Sequence, residues 1–181
     1  MKRIAIHAAR VAAGLSTALA VAMAAPMAPA SAAENTATKG IAINEFDTVQ
    51  IHVTANCVKA DNKCYFNTLA DVLTPDGTTG FPGDFYGRQN TTIRSTNRLV
   101  YMDADFDAAN TRMLKSISDT EFATVYFAGN APVMQGSART VDWQTGQPNT
   151  QAGFIACSFI QVVYGGINLT TPTACAQTTY S

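Results

Sequence analysis

His52, Ser158 and the run Asp103-x-Asp105-x-Asp107 are the residues whose types and spacing could do chemistry. Hydrolysis through a hydroxyl needs an imidazole base, and the base needs an orienting carboxylate. His7 and His52 are the chain's two histidines, and His7 lies in an apolar leader, so His52 alone could serve. No Gly-x-Ser-x-Gly elbow is present, and Ser158 falls inside an apolar run rather than on a strained turn. His52 occupies the polar side of an alternating segment, which predicts a surface strand residue. Residues two apart along a strand are separated by about 6–7 Å, near the carboxylate spacing of inverting glycosidases. The same acids begin like a calcium loop, but Ala108 stands where that loop needs glycine and Leu114 where it needs a bidentate glutamate. Like charges along one strand face also guard it against edge pairing. A small secreted hydrolase using His52 or Asp103, Asp105 and Asp107 is therefore the alternative reading, and no residue is assigned a catalytic role.

Binding is the stronger expectation. The stretch 78–90, TTGFPGDFYGRQN, sets aromatics among three glycines and a proline and predicts a long ordered loop. Phe81, Phe85, Tyr86 and Arg88 there, with Trp143 in a later polar segment, are the candidate binding residues, because aromatic loops on a rigid scaffold commonly hold sugars or proteins. The competing expectation is that these rings fold back as lids over the core.

The start of the chain reads as an export signal. Lys2, Arg3 and Arg10 precede an Ala/Val/Leu-rich run, and Ala30-Ser31-Ala32 closes it, which predicts a signal peptide over residues 1–32 cleaved after Ala32. No later apolar run reaches the roughly 18–20 residues of a membrane helix. The alanine-rich style is that of exported proteins of high-GC bacteria. Loss of the leader leaves nine cations against thirteen acids, a charge of −4. That balance argues against nucleic acid and against anionic surfaces as partners. An extracellular or cell-envelope protein or glycan is the expected partner.

Four cysteines, Cys57, Cys64, Cys157 and Cys175, follow the leader, and an even count in an exported chain predicts two disulfides. Each of the pairs Cys57–Cys64 and Cys157–Cys175 brackets a turn signal, so the local pairing is preferred. Zinc is disfavoured: His52, Cys57 and Cys64 offer three ligands, without a Cys-x-x-Cys motif or a second histidine after the leader. No metal or cofactor is expected.

The elements that must carry these residues read as strands. Residues 33–46 are small and polar, a flexible leader into one domain spanning residues 47–181. Thr48 to Cys57 alternates cleanly, 64–74 returns after an Asp-Asn turn, and 99–107 alternates with Val100, Met102, Ala104 and Phe106 opposite the acids. Residues 107–117 fit either a short helix behind an Asp107 cap or another hairpin arm. The segment 153–175, GFIACSFIQVVYGGINLTTPTAC, has apolar residues in both alternating sets up to Gly165-Gly166. This predicts a buried central hairpin with a two-residue turn. Short strands with regular turns predict an antiparallel β-sandwich, immunoglobulin-like or similar.

Overall fold

The computed structural model describes residues 34–128 and 132–181. The predicted signal peptide lies outside these residues. Twelve strands form among them: β1 (Glu34–Ala42), β2 (Thr48–Val58), β3 (Lys63–Thr74), β4 (Gly77–Thr79), β5 (Tyr86–Ser95), β6 (Val100–Asp107), β7 (Thr111–Lys115), β8 (Asp119–Phe127), β9 (Val133–Asp142), β10 (Phe154–Tyr164), β11 (Ile167–Thr170) and β12 (Ala174–Thr178). They make two six-stranded sheets, one ordered β1-β2-β3-β9-β6 with β4 on β3, the other β11-β10-β5-β8-β7 with β12 on β10. Every strand pair within them is antiparallel. This is the predicted sandwich, with more strands than the seven or nine of the immunoglobulin plan.

Alternation dictates the layers. Val49, Ile51, Val53, Ala55 and Cys57 of β2 are buried while Thr48, Gln50, His52, Thr54 and Asn56 face outward. From the other sheet, Phe154, Ala156, Ile160 and Val162 of β10 are fully buried opposite them. Aromatic rings join the sheets: Phe66 lies 5.7 Å from Phe122 and 6.3 Å from Phe154, and Phe106 lies 5.1 Å from Phe122. Gly136 makes room for this cluster. A Cβ there would sit 2.5 Å from the Phe66 ring and 2.8 Å from the Asp105 carbonyl oxygen, so only glycine lets Phe66 cross β9.

A polar seam runs through the same interior. Gln89 Nε2 donates to the hydroxyls of Thr68 and Thr91, linking the sheets, and the Thr91 and Ser158 hydroxyls lie 2.9 Å apart. Ser158 is fully buried, and its hydroxyl donates to the Asn90 carbonyl. It is thus a structural hydroxyl inside β10, well away from His52's outer face.

Both disulfides form as predicted, Cys57 with Cys64 and Cys157 with Cys175. Each pair is directly opposed in its ladder, so each bridge clamps two neighbouring strands. The β10–β11 hairpin closes on Gly165 (φ +51°) and Gly166 (φ +80°), with Tyr164 opposite Ile167. Two consecutive left-handed residues suit the tight turn that follows strand twist.

Three expectations change. Glu34–Ala42, expected as part of a flexible leader, is a nine-residue strand in register with β2. The open edge of β2 supplies its backbone partners, and Ala37 and Ile41 pack on the core margin. Residues 107–117 contain no helix: of the two alternatives the hairpin arm forms, because Thr111 and Met113 face inward opposite Thr124 and Phe122. Finally, the outward set of β10, with Ile155, Phe159 and Val163, is only half-buried. The strand is central within its sheet, yet its outer side has no covering layer among the described residues.

Tyr126, at the inner margin of β8, gives a pH prediction. Burial pushes its phenol up to about 12, with the Thr124 hydroxyl pulling weakly the other way. A phenol that ionises more readily unfolded than folded favours the folded state below pH 10, and that contribution falls as pH rises from about 10 to 12. Tyr126→Phe should therefore lose less thermal stability than the parent between pH 9.5 and pH 11. Parallel Tm curves for the two proteins across this range would refute the assignment.

Candidate binding surfaces

The loop residues come apart when placed in the fold. Phe81 and Phe85 stack at 4.2 Å, 4 % and 2 % exposed, with Tyr164 5.9 Å from Phe81. They are lids over the core, the outcome expected of bulky loop rings, and offer nothing to a partner. Tyr86 and Arg88 belong to β5 and face outward. Tyr86 pairs edge-on with Phe127 directly across the ladder, ring centroids 5.7 Å apart. Trp143 is half-exposed and lies against Tyr101 at 5.0 Å, at the far end of the first sheet's outer face. The five residues therefore do not share one site.

His52 has acquired partners. The Asp71 carboxylate, 3.2 Å from Nε2, can only accept when ionised, so Nε2 donates and a neutral ring's Nδ1 accepts from the Thr38 hydroxyl at 2.9 Å. This hydroxyl–imidazole–carboxylate order spans β1, β2 and β3 on an open sheet face. The adjoining hollow, about 240 Å³, is lined by Leu69, Asp71, Thr78, Thr79 and Gly80, not by His52 or Thr38. The chain of hydrogen bonds ties the edge strand β1 to β3.

The three acids also separate. Asp103 is held by Arg139, directly opposite it on β9, through both Nε at 3.2 Å and the adjoining guanidinium nitrogen. Asp105 and Asp107 are exposed on β6. Among the described residues no group of three histidine, cysteine, aspartate or glutamate side chains is arranged to hold a metal ion.

What the fold does assemble is a polar platform on the outer face of the first sheet. Antiparallel register aligns Thr36, Thr54, Asn67, Gln135 and Asp107 in one row across five strands, and Asn56, Tyr65, Ser137 and Asp105 in the next. Two hollows, of about 310 and 300 Å³, meet here and share Tyr65, Gln135 and Gly136. The first adds Thr54, Asn56 and Asn67; the second adds Asp105, Asp107 and Ser137. No lysine or arginine lines either one. Tyr65 is 40 % exposed and its hydroxyl donates to Asp61 at 3.0 Å, which fixes the ring and raises its pKa because the carboxylate favours the protonated phenol. Among the described side chains Asn56 Oδ1, at the floor of the first hollow, has no hydrogen-bond partner.

Sequence reasoning missed Tyr65, Asn56, Asn67 and Gln135. The outward direction of Asn56, Tyr65 and Asn67 is legible from alternation in 48–57 and 64–74; that of Gln135, on β9, is not. Their assembly is not legible either, because it depends on β9 inserting beside β3 from about seventy residues further along the chain.

No family model matches the chain, and no curated protein matches it. Among solved structures, one described as "Pore forming protein" aligns over 81 % of this chain and 87 % of its own, at 8 % identity and a TM-score of 0.22. A likeness of that size assigns neither fold nor activity. By its own structure the chain is an all-β, antiparallel sandwich with two disulfides, bonds that suit an oxidising compartment outside the cytoplasm. No helix among the described residues is long and apolar enough to cross a membrane.

Proposed function

We propose that this protein is a non-catalytic binding module of the cell exterior that holds a neutral glycan on the outer face of its first sheet. The observation that carries this reading is the pair of joined hollows around Tyr65 and Gln135. Amide side chains offer a donor and an acceptor on one rigid plane, which suits vicinal hydroxyls, and carboxylates accept from the remainder. The half-exposed Tyr65 ring supplies a face for the C–H side of a pyranose. Export, which the two disulfides and the predicted signal peptide support, places the module where envelope and extracellular polysaccharides occur.

Immobilised envelope polysaccharide tests the reading. Tyr65→Ala and Gln135→Ala should each weaken retention roughly tenfold, the effect of removing a central contact, with far-ultraviolet circular dichroism unchanged. Tyr86→Ala and Trp143→Ala should leave retention intact. Loss confined to Tyr86→Ala would move the site to the other sheet, and loss confined to Trp143→Ala to the far end of this one; no retention of the parent by any glycan would remove the function.

A further inference from the structure

We propose that a second surface, the end of the other sheet formed by the β5–β6 connection and the β7–β8 turn, seats on an anionic lipid bilayer. Leu99 is 69 % exposed on the first connection, Ile117 is 77 % exposed at the tip of the second, and Leu114 beside it is 47 % exposed. Single exposed aliphatics are ordinary, but three on converging segments need an occupant. Convergence is fixed by Arg98 Nη1, which lies 3.6 Å from Asp119 Oδ2 and so ties one connection to the other. The two segments wall a shared hollow of about 340 Å³.

Charge selects the occupant. Arg94, Arg98 and Lys115 line that hollow together with Asp119 and Glu121. Asp119 pairs with Arg98, while among the described residues neither Arg94 nor Lys115 has a carboxylate within ion-pair distance. Arg88 and Arg112 extend the positive field along the same outer face. Although residues 33–181 are acidic overall, five of their nine cations, Arg88, Arg94, Arg98, Arg112 and Lys115, lie on or beside this sheet, and the polar, acid-bearing platform is on the opposite one. Aliphatic tips flanked by unpaired cations match a bilayer: the tips enter the acyl boundary and the cations meet headgroup phosphates. A small soluble anion would use the cations and leave Leu99 and Ile117 in water.

Sedimentation of the exported chain with vesicles tests this separately from glycan binding. Vesicles of equal phosphatidylglycerol and phosphatidylcholine should bind the protein, and phosphatidylcholine alone should not, with binding falling as salt is raised. Leu99→Ser combined with Ile117→Ser should lower the partition coefficient roughly tenfold or more. Arg94→Gln combined with Lys115→Gln should lower it roughly tenfold at low salt and flatten the salt dependence. All four sites are on the surface, and Ile117→Ser alone serves if a double variant loses its near-ultraviolet spectrum. Equal binding to both vesicle types, or full binding by the serine variants, would overturn the proposal. So would lipid-free self-association abolished by those serines, which would assign the surface to a second copy of the chain.

Discussion

Replacing Phe122 by alanine is expected to cost roughly 3–5 kcal/mol, the range for deleting a fully enclosed aromatic ring. Phe122 is completely buried on β8 and stands between Phe66 and Phe106, so it touches both strands that flank β9 in the opposite sheet. A cavity there cannot collapse easily. Phe66 already lies close over Gly136, where an added Cβ would clash with its ring. Phe127, five residues further along the same strand, is 63 % exposed and faces the other way, so Phe127→Ala should cost under about 1 kcal/mol. Urea unfolding of the two variants measures the contrast. Similar midpoints would mean that the inward and outward assignment of β8 is wrong.

The same cluster governs the polar platform. Phe66 sits on β3 between Tyr65 and Asn67, whose side chains point to the outer face. Inward packing of Phe66 therefore sets the height and tilt at which Tyr65 and Asn67 meet Gln135. Phe122→Ala should thus loosen the platform as well as the core, whereas Tyr65→Ala should affect binding alone.

How far the sequence discloses this arrangement depends on the range over which each feature is encoded. The alternation of Thr48 to Cys57 specifies one buried and one solvated face, and that is what β2 shows. The turn at Gly165-Gly166 and both disulfides join residues close in sequence, so local reasoning reaches them. Glu34–Ala42 is different. Its residues carry little burial signal, and the strand exists because β2 presents an unpaired edge, with Thr38 hydrogen-bonded to His52 as a further tie. The region after Asp107 is ambiguous for a related reason, since Met113 and Leu114 suit a helical stripe until Phe122 is placed opposite Met113.

Function is less legible than fold because its residues are gathered by register. Phe81, Phe85, Tyr86 and Arg88 are close in sequence and look like one loop site. The chain, however, turns into β5 at Tyr86, which sends neighbours to opposite faces and draws the two phenylalanines inward. Conversely, Asn56, Tyr65 and Gln135 occupy three strands and carry no joint motif. Leu99 and Ile117 fall in short connections whose mutual approach is set by the ladder between β5 and β8, where Arg94 opposes Asp119. The charge of −4 for residues 33–181 is a total, not a partition between two faces.

Removal of the Cys157–Cys175 bridge as a paired serine variant is expected to cost roughly 3 kcal/mol, against roughly 2.5 kcal/mol for Cys57–Cys64 replaced by paired alanines, on loop-closure grounds. The closed loops differ, with sequence separations of 18 and 7, but entropy grows only with the logarithm of length. Position then separates the two. Cys175 is exposed and Cys157 half-buried, so serines there meet water, and β10 keeps its long ladder to β5. Cys57 and Cys64 are fully buried, and paired serines in their place would enclose two hydroxyls, raising the cost above that of the alanines by about 1–3 kcal/mol for each unsatisfied group. The expected order of unfolding midpoints is therefore parent first, then Cys57→Ala/Cys64→Ala, then Cys157→Ser/Cys175→Ser, with Cys57→Ser/Cys64→Ser lowest. A Cys57→Ser/Cys64→Ser variant as stable as its alanine counterpart would show that this end of the core admits water.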